Sequence, residues 1–394
     1  MNKTMKNEFY FLNKHEQNSR LKEISLVFLK LGITSFGGPV AHVAMMEDEI
    51  VKNRKWLSKE KFLDLYGATN LIPGPNSTEL AIHLGYERGG WLGLILAGAC
   101  FILPAMLIVL SFSIIYTKYG ALPEVSNILY GVKPVIIAIV FQAFIRLGQS
   151  AIKSRTTSII GVAVIVLSIL GVNEILLLAL AGLFMLISTD SSKLNKSKFY
   201  SLAPILMPFA VLPSVQLQKT GMDTSKVFLS FVKIGSILYG SGYVLLAFLE
   251  AEFVEKFGVL TNQQILDAVA VGQFTPGPVF TTATFIGYIL EGISGAIAAT
   301  IGIFLPAFLL VGILNPFVSK LRSSKALSNI LDGINVASWG LMAVVSLKLG
   351  VSAVTDVPTA ILAIISLFIV FKYKINSAFM VLFGGIAGLV VYLI

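Results

Sequence analysis

The chain is written twice. Phe28-Leu29-Lys30-Leu31-Gly32, Gly37, Glu47-x-Glu49, Asp64 and Pro73-Gly74-Pro75 return 203 residues later as Phe231-Val232-Lys233-Ile234-Gly235, Gly240, Glu250-x-Glu252, Asp267 and Pro276-Gly277-Pro278. Residues 28–75 align with 231–278 without a gap, at 14 identities in 48 positions; ordinary residue usage gives about 3 or 4 by chance. Beyond Pro75 the offset drops to 202 and holds, so that Gly85-Tyr86 matches Gly287-Tyr288, and Leu103-Pro104-Ala105 matches Leu305-Pro306-Ala307. The fold must therefore be one that two like halves build together. The expected division is a basic tail over 1–22, a first repeat over 23–190, a linker over 191–225 and a second repeat over 226–394.

Composition decides the solvent. With 56% apolar and 13% charged residues and a mean hydropathy of +0.83, a water-soluble fold would carry more apolar surface than a core can hide. The reading is an all-α polytopic membrane protein. The first 22 residues are polar, with Lys3, Lys6, Lys14, Arg20 and Lys22, and read as a cytoplasmic tail and not as a cleaved signal peptide. The single Cys100 gives no internal disulfide and no cysteine-based metal cluster, and no cofactor is expected.

Apolar runs long enough to cross the hydrocarbon lie at 91–116, 127–148, 157–172 and 175–189, and again at 292–314, 328–350, 354–371 and 376–394. Ahead of each set stand two apolar segments broken in the middle: 24–46 at Gly37-Gly38-Pro39 and 60–85 at Pro73-Gly74-Pro75, with counterparts at 226–249 and 264–289. Proline removes a donor and glycine frees the backbone, so each segment reads as two half-helices.

Lysine and arginine sit in excess on cytoplasmic loops. The 47–61 loop holds Lys52, Arg54, Lys55, Lys59 and Lys61, and the 149–156 loop holds Lys153 and Arg155; the equivalent loop at 250–263 holds Glu250, Glu252 and Glu255 against Lys256. The charge pattern agrees with the spans only if the broken segments are re-entrant and the second repeat is inverted relative to the first. Inversion needs one extra crossing, expected at about 200–217.

Inverted repeats with discontinuous helices are the architecture in which secondary transporters hold substrate near the midplane. Candidate binding groups at the breaks are Ser35, Gly37, Gly38, Pro73, Gly74, Pro75, Asn76, Ser77 and Thr78, with Gly240, Ser241, Pro276, Gly277, Pro278, Thr281 and Thr282 in the second repeat. Hydroxyls, an amide and half-helix N-termini form a donor shell of the kind a tetrahedral oxyanion needs. The alternative is a plain kink whose polar residues repair freed backbone groups.

Five cations fall within membrane segments. Lys30 matches Lys233, Arg146 matches Lys348, and Lys133 matches the neutral Asn335. Such charges are expensive in a bilayer unless they face water or a counter-ion. Lys30, Lys233, Arg146 and Lys348 are taken as candidate anion-binding groups, against the alternative that the two lysines pair with acids such as Asp64 and Asp267, or snorkel, and that the other two reach the interface; Lys133 reads as structural. Glu79, His42 and His83 occur only in the first repeat and, with Asp64 and Asp267, are the candidates for proton coupling.

Phe28-x-Lys30-Leu31-Gly32-x-x-Ser35-Phe36-Gly37-Gly38-Pro39-x-Ala41-His42, Trp56-Leu57-Ser58, Asn70-Leu71-Ile72-Pro73-Gly74-Pro75-Asn76-Ser77-Thr78-Glu79-Leu80 and Phe101-Ile102-Leu103-Pro104-Ala105 resemble the chromate transporter family in its long, two-domain form. The resemblance implies proton-driven export of chromate across the bacterial cytoplasmic membrane, with sulfate as a chemical mimic. The implied partners are the oxyanion, protons and the lipid bilayer, with a homodimer as the candidate assembly and no nucleic acid. The sequence departs from the family pattern in Lys30, where Arg is frequent, and in Tyr239-Gly240-Ser241-Gly242, which replaces the Phe-Gly-Gly-Pro turn. Rival readings are uptake or exchange of sulfate or another oxyanion, and an intramembrane enzyme acting on a lipid phosphate. No metal-ligand spacing, nucleophile turn or phosphate loop supports the latter.

Overall fold

The computed structural model describes residues 8–120, 122–189, 222–240, 242–315, 324–373 and 375–393. The stretch proposed as the extra crossing, and Ser241, lie outside the described residues. Among the described residues, fourteen α-helices fall into two sets of seven. In the first repeat these are α1 (Lys14–Thr34), α2 (Pro39–Glu47), α3 (Lys59–Thr69), α4 (Asn76–Tyr119), α5 (Pro123–Ala151), α6 (Arg155–Ile169) and α7 (Glu174–Thr189). In the second they are α8 (Thr224–Ile237), α9 (Leu245–Leu249), α10 (Asn262–Phe274), α11 (Thr282–Leu314), α12 (Lys325–Ala353), α13 (Val357–Tyr373) and α14 (Ser377–Leu393). α2 and α9 each run on into a π-helical turn, Asp48–Asn53 and Glu250–Lys256.

The repeat reaches down to the caps. Ser58 caps α3 by accepting from the Lys61 N–H, and its counterpart Thr261 caps α10 in a capping box with Gln264. α1 stops at Thr34 because Gly37 and Gly38 take positive φ, and Pro39 then opens α2. Inside α4, Gly89 and Gly90 leave helical geometry, and Glu291 and Gly292 do the same in α11 with nearly the same angles. Each of these long helices is thus a short arm, a turn and a spanning arm.

Both hairpins of the first repeat start and finish on one side. Glu23 on α1 accepts from Arg54 beyond α2 at 3.0 Å, from Trp56 at 3.2 Å and from Arg88 at the end of the α4 short arm at 3.0 Å. The broken segments are therefore re-entrant. The spanning arms then show the inversion directly: Trp91, at the start of the α4 arm, packs on Gly312 at the end of the α11 arm, and Gly98 lies against Phe308. Equivalent helices that run antiparallel through a shared contact are related by a two-fold axis across them. α5 and α12 obey the same axis, with Gly148 against Trp339 and Ile137 against Gly350.

The halves also trade partners. α6 and α7 pack on α12 of the other repeat, while α13 and α14 pack on α5. Polar contacts follow: Gln142 donates to the Val370 carbonyl at 2.8 Å, Lys153 meets Asp332 at 2.6 Å, and the Tyr130 hydroxyl meets Asp356 at 2.7 Å. The outer apolar runs form shorter helices than the central ones. The runs at 157–172, 175–189, 354–371 and 376–394 are helices of 15–17 residues, at most about 25 Å long at 1.5 Å per residue. That is at or just under the length needed for a hydrocarbon core of about 30 Å. Only α4, α5, α11 with its preceding turn, and α12 are long and apolar enough to cross alone among the described residues.

Gly277 has φ +83°, and a Cβ there would lie 2.9 Å from the Ala105 Cβ. Gly292 has φ +62° and open space around it. Gly277→Ala is expected to cost about 2 kcal/mol or more, through backbone strain plus overpacking, and Gly292→Ala about 1 kcal/mol through strain alone. Thermal unfolding in detergent compares them; equal losses would mean that Gly277 is not set by close approach.

Candidate functional site at the crossing of the breaks

The four breaks meet. The Gly74 N–H donates to the Leu238 carbonyl at 2.8 Å, and the Gly277 N–H donates to the Ser35 carbonyl at 2.9 Å. Gly277 is Gly74 displaced by 203, and Leu238 is Ser35 displaced by 203. Each Pro-Gly-Pro turn therefore clasps the end of the first half-helix of the opposite repeat. The repeated Leu-Pro-Ala triplets explain themselves here, since Ala105 lies beneath Gly277 and Ala307 beneath Gly74. A larger residue at either alanine would push the turn out of hydrogen-bonding reach.

Around the clasp the first repeat collects polar groups that the protein leaves unsatisfied. Ser35, His42, Ser77, Thr78, Glu79 and His83 are all at most 1% exposed. His42 Nδ1 lies 3.3 Å from Ser77 Oγ, and His83 Nδ1 lies 2.7 Å from Asn315 Oδ1. Ser35 Oγ, Thr78 Oγ1, both Glu79 carboxyl oxygens and the Nε2 atoms of both histidines have no hydrogen-bond partner. Glu79 curls back on the Gly74 turn. The Tyr239 hydroxyl, buried and unpartnered at the tip of the second repeat, lies within its electrostatic reach. An unsatisfied buried polar group costs about 1–3 kcal/mol, so the group around the clasp is a candidate site.

The second repeat is quieter. Thr281 and Thr282 are buried but donate to the carbonyls of Pro278 and Val279 at 2.8 and 2.7 Å. Pro73, Pro75, Pro276 and Pro278 are buried in their turns. Asn76 instead bonds Asn70 at 2.8 Å. The two tips differ as their sequences suggest: Phe36 is 43% exposed beside Gly37 and Gly38, whereas Tyr239 beside Gly240 is 1% exposed.

The cations sit elsewhere, mostly paired. Lys30 meets Glu49 at 3.0 Å, and Lys233 meets the equivalent Glu252. Both lysines thus pair with acids, as the alternative had it, with Glu49 and Glu252 in place of the examples Asp64 and Asp267. Arg54 also holds Glu49 at 2.8 Å, Lys256 holds Glu252 at 2.7 Å, and Lys348 bonds Glu250 and Glu255. Arg146 is exposed on α5, within electrostatic reach of Tyr243. Asp64 is exposed on α3, while Asp267 is buried, 3.4 Å from Lys133 and accepting from the Tyr116 hydroxyl at 2.9 Å. Tyr116 escaped sequence reasoning; Tyr239 and the two alanines stood out there only as a departure in the turn and as a duplicated triplet, without a role.

The chromate transporter family model matches this chain twice, over residues 22–186 and 225–389. The chain belongs to the chromate transporter family. It is 32% identical to a probable chromate transport protein of Synechococcus elongatus, over 98% of this chain and 99% of that one. It is 30% identical to the chromate transport protein of Cupriavidus metallidurans, over 94% and 93% of the two chains. An uncharacterized transporter of Methanocaldococcus jannaschii is 28% identical over 98% of both. No solved structure matches the chain.

Outside the spanning segments, Arg54 and then Lys30 hold the Glu49 carboxyl below the usual glutamate range against the opposing effect of burial. A carboxyl depressed in the folded state adds stability above its unfolded pKa, and that stability is lost as pH falls through the folded one. Unfolding temperature in detergent should therefore fall on acidification below about pH 4 to 5. Glu49→Gln should lower it at neutral pH and flatten the acid limb; parallel profiles for the two proteins would contradict the pairing.

Proposed function

We propose that this protein is a secondary transporter that carries chromate outward across the cytoplasmic membrane, with the N-terminus inside, and that the oxyanion sits at the clasp between the breaks. The observation that carries this reading is the unpartnered side-chain oxygens of Thr78 and Glu79 in the first turn of α4, with Glu79 lying against the Gly74 turn of the clasp. A helix N-terminus offers free N–H groups and partial positive charge, and a hydroxyl adds a further donor to a tetrahedral oxyanion. The relatives named for chromate transport supply the substrate.

Glu79 sets the coupling. An ionised carboxylate beside a dianion repels it, so the oxyanion seats when Glu79 carries a proton and can donate to it. His42, hydrogen-bonded to Ser77 in the same turn, stands where it can relay a proton to and from Glu79. A negative interior drives net negative charge outward at about 2.3 kcal/mol per charge per 100 mV. The paired lysines at Lys30 and Lys233 contribute background potential and do not grip the substrate.

Everted vesicles carrying the protein should accumulate radiolabelled chromate above empty vesicles, faster as the cytoplasmic face is acidified. Glu79→Gln should keep chromate binding and lose its pH dependence, whereas Thr78→Val should cut uptake about tenfold, one lost charged hydrogen bond. No accumulation by the wild type would discard chromate. An unaltered pH profile in Glu79→Gln would remove Glu79 from the coupling while leaving the substrate in place.

A further inference from the structure

The short arm of α4, residues 76–88, carries three titratable groups spaced by four: Glu79, His83 and Glu87. Four residues are just over one helical turn, so the three lie on one face, about 6 Å apart along the axis. Their burial falls away in order. Glu79 and His83 are fully buried, while the Glu87 side chain is 31% exposed and meets Lys61 of α3 at 3.4 Å. The next residue, Arg88, meets Glu23, which also holds Arg54. The face thus runs from the Gly74 turn of the clasp to the edge of the basic 47–61 loop. In the second repeat the same positions hold Thr281, Phe285 and Ile289, with Gln264 in place of Lys61, so all three groups are exchanged together.

His83 is arranged to pass a proton along this face. Its Nδ1 lies 2.7 Å from Oδ1 of Asn315, at the end of α11. An amide oxygen only accepts, so Nδ1 carries the hydrogen and the neutral ring presents Nε2 as a bare lone pair. That nitrogen is buried without a hydrogen-bond partner, as are both carboxyl oxygens of Glu79. Side chains on a helix lean toward its N-terminus, which carries the ring over the turn of Glu79 and the Glu87 carboxyl over the turn of His83. From the neighbouring elements, Lys61 of α3 lies within electrostatic reach of His83, and the Tyr239 hydroxyl of the second-repeat tip within reach of Glu79. His42 of α2 contacts Ser77 on the clasp side of the carboxyl.

We propose that the Glu79–His83–Glu87 face of α4 is the path by which protons pass between the clasp and the side of the 47–61 loop, with His83 as the carrier. The proposal rests on the reading of Glu79 as the coupling carboxyl. A proton taken up by the Glu87 carboxylate passes to His83 Nε2, forming an imidazolium whose Nδ1–H stays on Asn315. Nε2 then gives that proton to a Glu79 oxygen, which leaves the ring neutral and the carboxyl protonated. Each transfer is direct or through one water. The two-fold axis supplies no matching line of titratable groups to the opposite side, since Phe285 and Ile289 can neither accept nor donate a proton. His83 therefore serves one side of the membrane.

Infrared difference spectra of the purified protein in lipid vesicles test this without chromate. The band of a protonated carboxyl that disappears in Glu79→Gln reports Glu79, and its shift after mixing into heavy water gives the rate of proton exchange. His83→Gln keeps a donor for Asn315 but cannot carry a proton, and should slow that exchange about a hundredfold. His83→Phe, the residue of the second repeat, should do the same. Glu87→Gln, at the half-exposed end, should slow it less, with Glu87→Asp close to wild type, and this pair serves if the His83 variants fail to fold. Exchange at the wild-type rate in the folded variants overturns the path, as does the lack of a Glu79 band at any pH. In everted vesicles His83→Gln should flatten the acceleration of chromate uptake by acid, yet lower uptake no further when Glu79 is already Gln, because groups acting in one series do not add. A further loss in that background would place His83 among the substrate contacts and overturn the path. Slowed exchange in His83→Gln, with no chromate uptake by the wild type, would keep the path and discard the substrate alone.

Discussion

Everything here hangs on two backbone hydrogen bonds, from Gly74 to Leu238 and from Gly277 to Ser35. Each uses a carbonyl at the end of an interrupted half-helix and a glycine N–H in a turn flanked by prolines, groups that regular helices would have consumed internally. In hydrocarbon such groups cannot be left to solvent, so each break must find a partner, and each finds it in the other repeat. The polar liability of one interrupted segment is met by that of its inverted copy. A single repeat could not close this account, which is a physical reason for the duplication to run the length of the chain.

The clasp also fixes what must be small around it. Gly32 and Gly235 let α1 and α8 press on the backbones of the spanning arms near Phe101 and Ile303, while Ala105 and Ala307 leave room for the glycine turns. Spanning arms brought this close set the depth at which the half-helix N-termini point inward. The helices that pack around them can then be short, because α6, α7, α13 and α14 lean on α5 and α12 and need not span alone.

Much of this was legible in the sequence. The repeat, the breaks and the inversion followed from Pro-Gly-Pro spacing and from where Lys52 to Lys61 and Glu250 to Glu255 fall, because loop charge and backbone chemistry are local properties. The partners of Lys30 and Lys233 were not legible: Glu49 and Glu252 lie on returning half-helices, and which carboxylate comes near depends on the angle of each hairpin. The difference between Asp64 and Asp267 was invisible for a stronger reason. Identical letters at equivalent positions carry no record of which carboxylate ends up buried and which exposed.

The two repeats divide labour between scaffold and chemistry. The paired cations recur in both, as Lys30 with Glu49 and Lys233 with Glu252, and they hold each hairpin to itself. Glu79, His42 and His83 occur in one alone, where Thr281, Leu245 and Phe285 stand in the other. Symmetry is kept where two conformations must be nearly equal in free energy, since reciprocal states of an inverted pair reuse the same contacts. It is broken where a direction is needed. The fold is repeated, and the buried carboxylate and histidines near the clasp come from one half alone.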